Sequence, residues 1–105
     1  MSARTLLAFL AVCISTSAFA VDGHADAAKD KIAMCVRCHG IPGYHSAFPK
    51  TYQVPRIGGQ YAEYIVSALQ AYKSGDRKHP SMAGIAASLS DQDMADLAAY
   101  YSAQK

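Results

Sequence analysis

The spacing of apolar positions predicts three helices and one long loop. Ala25, Ala28, Ile32 and Cys35 recur at steps of 3, 4 and 3, which is one face of a helix over about Asp22–Met34. Asp22 or His24 opens it, and Asp26 complements the helix dipole near its start. Tyr61, Tyr64, Ile65, Ala68, Leu69 and Tyr72 make a second face, on a helix from about Gln60 to Lys73 that Gly75 stops. A third helix begins at Ser90. There Ser90-Asp91-Gln92-Asp93 has the form of a capping box, with Asp93 in place of the usual Glu or Gln. Met94, Leu97, Ala98 and Tyr101 are its apolar face. Ser81–Leu89 has room for a short helical turn, and no stretch reads as strand. Gly40–Gly59 holds three Pro and four Gly and is loop. So long an irregular run is unusual in a small domain, and a loop wrapped around a ligand is the common exception.

The N-terminus follows a different pattern. Arg4 is followed by an apolar run from Leu6 to Ile14 and then by Ala18-Phe19-Ala20, the n-region, h-region and A-x-A site of a secretory signal peptide. Ser15, Thr16 and Ser17 interrupt the run, so it falls short of the ~20 residues of a spanning helix. An uncleaved anchor is the weaker reading. A lipoprotein through Cys13 is weaker again, because bulky Val12 precedes it. The expected organisation is a cleaved signal peptide over 1–20 and one domain over 21–105.

Composition then sharpens the picture. Of 54 apolar residues, 40 lie in 21–105; 15 of those are Ala, and the chain has no Trp. Large apolar side chains are scarce, and domains this small are marginal on an ordinary core, so something besides protein is expected to fill the middle. Without Arg4 the net charge falls from +2 to about +1, too little for a nucleic-acid binder and too little for strong electrostatic steering of a partner. No phosphate loop, Ser-His-Asp set or supported carboxylate pair marks an independent catalytic site, so the chain is not expected to be an enzyme.

Two cysteines remain after the signal peptide, Cys35 and Cys38. They stand in Cys35-Val36-Arg37-Cys38-His39, a C-x-x-C-H sequence, the signature of c-type haem attachment. Each thiol adds across one haem vinyl group, and two intervening residues on a tight helical turn match the span between the vinyls. His39 then lies under the iron and binds it from the proximal side. A redox dithiol expects a preceding strand and a βαβ context. Zinc expects four ligands, and no second Cys pair or H-x3-5-H is present.

These residues, in order, resemble the class I c-type cytochromes, in particular small bacterial mono-haem ones and single domains of di-haem relatives. Cys35 through Gly40 with Gly43 resembles the attachment site and its turn. Pro55-Arg56-Ile57-Gly58-Gly59-Gln60-Tyr61 resembles the loop-to-helix junction, Leu69, Tyr72, Gly75 and Arg77 the end of the middle helix, and Leu89–Asp93 with Leu97–Tyr101 the last helix. One C-x-x-C-H, where di-haem relatives have two, implies one haem. The resemblance implies an all-α cytochrome c fold of three main helices and a long loop around one covalently attached haem. It implies that the first and last helices cross, for which Ala28 and Ala98 are suitably small. It also implies that the Pro55 carbonyl accepts a hydrogen bond from the free ring nitrogen of His39.

The same resemblance makes Met82 the distal iron ligand. Met82 lies in a flexible stretch, 74–87, far enough from His39 to reach the opposite haem face. Met34 is tethered beside Cys35, and Met94 sits on an apolar helix face as a core residue. His79 is the main rival; His24 is also available, and His45 in the wrapping loop reads as solvated surface or a propionate contact. Arg56, Tyr52, Lys50 and Arg77 are candidates for the haem propionates. A thioether ligand raises the reduction potential, and two protein axial ligands leave no place for O₂ or peroxide. The implied function is a periplasmic electron carrier with redox-protein donor and acceptor, soluble and able to dock on membrane-bound redox complexes. Two alternatives stay open: a haem-bearing electron-transfer subunit of a larger oxidoreductase, and a ligand binder with a labile Met82.

Overall fold

The computed structural model describes residues 20–47 and 51–104. The signal-peptide segment, apart from Ala20, lies outside the described residues, as does Lys50. Among the described residues five helices appear in chain order with one short strand pair: α1 (Ala25–Ala28), α2 (Ala33–His39), β1 (His45–Ser46), β2 (Tyr52–Gln53), α3 (Ala62–Ser74), α4 (Pro80–Ala87) and α5 (Asp91–Ser102).

The first expected helix is two. Around 29–32 the backbone tightens to three-residue bonds, Lys31 N–H to the Ala28 carbonyl (2.7 Å) and Cys35 N–H to the Ile32 carbonyl (2.9 Å). Ala28, Ile32 and Cys35 stay on the core side across the junction, which is why one periodicity ran through both. The helical course also continues past Met34 to His39, carrying the cysteines with it.

Helix α5 is the centre of the molecule. Met94, Ala95, Asp96, Leu97, Ala98 and Tyr101 are all buried, wider than the single stripe of a surface helix. It starts on a complete capping box, the Ser90 hydroxyl accepting the Asp93 N–H (3.1 Å) and the Asp93 carboxylate accepting the Ser90 N–H (2.9 Å). Helix α1 packs on one side of α5 and α3 on another, while α4 packs on α3. The core joins Ala28, Ile65, Leu89, Met94, Leu97, Ala98 and Tyr101. Both small alanines expected at the crossing of first and last helices are thus in it. The chain before α1 also lies tight on α5: a Cβ at Gly23 would run into the Ala95 carbonyl.

Two differences concern α3 and the loop. Tyr61 is 79% and Tyr64 53% exposed, and Ile65 is the buried residue of α3, flanked by Ala62, Val66 and Leu69. The core face is therefore rotated away from the tyrosines. Gly75 ends the helix as expected, with φ 88° in the region glycine favours. Inside the long loop, His45 pairs with Gln53 and Ser46 with Tyr52, antiparallel. This clasp was not foreseen, because two residues per strand leave no alternation to read.

Candidate functional site

Cys35, Cys38 and His39 share the last turns of α2. Both thiols are free and half-buried. The three-residue spacing puts them on one helical face. His39 Nδ1 lies 2.6 Å from the Pro55 carbonyl oxygen. A carbonyl only accepts, so Nδ1 donates, and Nε2 keeps its lone pair for another partner. Pro55 is fixed from both sides of the loop. Val54 N–H donates to the Tyr44 carbonyl (2.9 Å), and Gly59 N–H to the Tyr101 carbonyl at the end of α5 (2.9 Å).

Burial pushes the Cys35 thiol up, and the nearby Tyr101 hydroxyl offsets that only in part. A redox-active dithiol needs a thiol held low, so Cys35 is poorly suited to that chemistry. Tyr101 is buried and its hydroxyl makes no hydrogen bond of good geometry. Burial, with Cys35 adding to it, pushes that hydroxyl up. Among the described residues no group of three or more His, Cys, Asp or Glu side chains is arranged to hold a metal ion.

A cavity of about 220 Å³ is lined by Val36, His39, Arg56, Ile57, Tyr100 and Tyr101, among others. That is below the ~300–1,000 Å³ of ordinary small-molecule sites, so it does not by itself enclose a porphyrin. Beside the cysteines in the chain, however, Met34, Val36 and Ile41 are left 38–48% exposed. Two free thiols on one turn, an imidazole with an available Nε2 and open apolar side chains along the same stretch form a donor set that fits a c-type haem.

Met82 lies on a separate element. It sits half-buried in the first turn of α4, where a flexible stretch was expected. Pro80 at the first helical position and His79 as cap start this helix. His79, the rival ligand, uses its Nδ1 to accept the Met82 N–H at 3.3 Å. Met94 is fully buried in the core. The His24 N–H donates to Asp96, and His45 Nδ1 lies 2.8 Å from the Gly43 carbonyl. Of the propionate candidates, Arg56 lines the cavity, Tyr52 packs on His79, and Arg77 stacks over Tyr72 at 4.6 Å. Two features escaped the sequence. The Lys31–Asp93–Asp96 cluster joins residues too far apart in the chain to be paired by inspection, and only the His79-Pro80 pair hints at the cap.

Residues 25–104 match the Cytochrome c family model. Cytochrome c-554(548) of Halomonas halodenitrificans is 45% identical over 86 residues, covering 79% of this chain and 99% of the relative. Cytochrome c4 of Stutzerimonas stutzeri is 39% identical over 92 residues, covering 79% of this chain and 42% of the relative. The crystal structure of reduced recombinant cytochrome c4 from Pseudomonas stutzeri superposes with TM-score 0.63 at 39% identity, over 79% of this chain and 46% of that one. The chain thus spans nearly all of the c-554(548) relative and less than half of the c4 relatives.

Proposed function

The chain belongs to the cytochrome c family, whose members carry covalent c-type haem and transfer electrons, and on that premise we propose that it is a mono-haem electron carrier of the periplasm. In this reading Cys35 and Cys38 each form one thioether, the sulfur bonding to a vinyl carbon and the thiol proton passing to its neighbour. His39 Nε2 is the proximal ligand and the Met82 thioether the distal one. The single observation that carries the reading is the His39–Pro55 contact of 2.6 Å. It holds the ring one residue from Cys38 with Nε2 free, and the charge it draws onto Nε2 raises the ring's basicity.

When bound, the haem supplies an iron that changes oxidation state by one electron. The protein's part would be to hold His39 and Met82 as ligands in both states, so that ligands do not change between them. Helix α2 holds its ligand through Pro55, and α4 holds Met82 through its packing on α3. The pattern over 1–20 supports export, and no helix among the described residues is long and apolar enough to cross a membrane. The partners are redox proteins that donate to and accept from this carrier.

The test is an exported, purified protein. Its mass should equal residues 21–105 plus one haem, and its ferric spectrum should show the weak long-wavelength band of sulfur ligation. Met82→Ala should abolish that band and open the ferrous iron to CO. Met82→His should keep six-coordination at a lower potential. A native ferrous protein that binds CO readily at neutral pH would make it a ligand binder instead.

A further inference from the structure

The helix that carries Met82 starts on an unusual cap. Helix N-termini are usually closed by a hydroxyl, carboxylate or amide oxygen; α4 is closed by an imidazole. The His79 backbone is extended (φ −157°, ψ 115°), and its Nδ1 accepts the N–H of Met82 itself, at 3.3 Å. No acidic side chain lies in the first turn of α4. The far side of the ring is also held. Tyr52 of β2 packs against it with ring centroids 5.2 Å apart and planes tilted by 60°, and Tyr52 is pinned to Ser46 across the loop's strand pair. A chain of contacts therefore runs from the long loop, through one ring, to the backbone amide of Met82.

We propose that His79 is a positioning residue for the sixth ligand: clasped by Tyr52, its ring holds the backbone of Met82 in the first turn of α4 and so sets how firmly the thioether is presented to the iron. This rests on Met82 being that ligand. The physical basis is local. Without the cap the first turn frays, and a frayed turn lets the Met82 side chain swing away while the rest of α4 stays packed on α3.

Imidazole added to the ferric haem-loaded protein competes with Met82 for the iron, and loss of the long-wavelength sulfur band reads the competition. His79→Ala should raise the apparent imidazole affinity about fivefold, the worth of one N-cap. His79→Gln, a poor cap of comparable size, should do the same and serves if the alanine variant loads haem badly. His79→Asn restores a good cap and should bring the affinity back to within about twofold of native. Tyr52→Ala should fall in between. A role in global stability alone would lower the unfolding midpoint in these variants and leave imidazole affinity where it was. Native-like affinity in His79→Ala and His79→Gln, or no rescue by His79→Asn, overturns the proposal. Met82→Ala separates this from its premise. If that variant keeps the band, the sixth ligand is elsewhere and both readings fall; if it loses the band while the His79 variants behave as native, only the positioning role falls.

Discussion

Lys31 reaches two carboxylates of α5 at once, Asp93 at 2.7 Å and Asp96 at 2.8 Å. Asp96 is 2% exposed, and its oxygens also accept the His24 N–H and the Gln92 amide, each at 2.8 Å. Lys31 first, then these donors, hold the Asp96 carboxyl down to about 2. Lys31 and the capping contacts of Ser90 do the same for Asp93. Both folded values lie below the ordinary 3.8. The stabilisation is therefore present above the unfolded value and is lost as pH falls through the folded one. Acid unfolding of the haem-loaded protein should draw on this window between about pH 4 and 2. Asp96→Asn should cost about 2 kcal/mol at neutral pH and flatten the stability curve across that window. Denaturant titrations at pH 7, 4 and 2.5 check both; an unchanged acid slope would assign the acid sensitivity to other groups.

At the scale of elements, α5 combines a complete N-terminal capping box with most of the buried core. Ser90→Ala removes one half of its capping box and should cost about 1 kcal/mol, seen as a lower denaturant midpoint at unchanged slope. Gly23→Ala should be as damaging or worse, because its methyl meets the Ala95 carbonyl, which α5 cannot move without shifting its own hydrogen bonds. The capping box was legible because its partners are three residues apart. C-x-x-C-H was legible for the same reason, and the Pro55 contact followed from the family resemblance. What was missed depends on distant partners. Periodicity could not tell that α3 turns Ile65 inward and leaves Tyr61 and Tyr64 in solvent. Helix α4 was read as a short turn in a flexible stretch, since an imidazole cap is a rare signal. The partner of Asp96 stands 65 residues away at Lys31.

For the molecule as a whole, the core is thin. Ile65, Leu89, Met94, Leu97 and Tyr101 are the large apolar side chains that are buried among the described residues; the other buried apolar positions are alanines. So small a set leaves a domain of this length marginal, and a group bound to the folded state alone adds its own binding energy to stability. Replacing both Cys35 and Cys38 by Ala should therefore give a protein with little cooperative unfolding, measured by circular dichroism on heating. A sharp transition in that haem-free variant would show that the side chains suffice.

The contacts between His24 and Asp96, Asp22 and Gln92, and Lys31 and Asp96 bridge 72, 70 and 65 positions. They give the polypeptide an order of events. Closing loops of that length is slow compared with forming local turns, and none of these contacts can form before residues 91–102 have been synthesised. Until then α1 has no α5 to rest on, and Cys35 lacks the buried residues of α5 that it packs against in the folded chain. Docking of the last helix completes the core against which Cys35 packs, so the interval between the emergence of Cys38 and the arrival of α5 is the period in which Cys35 is least covered.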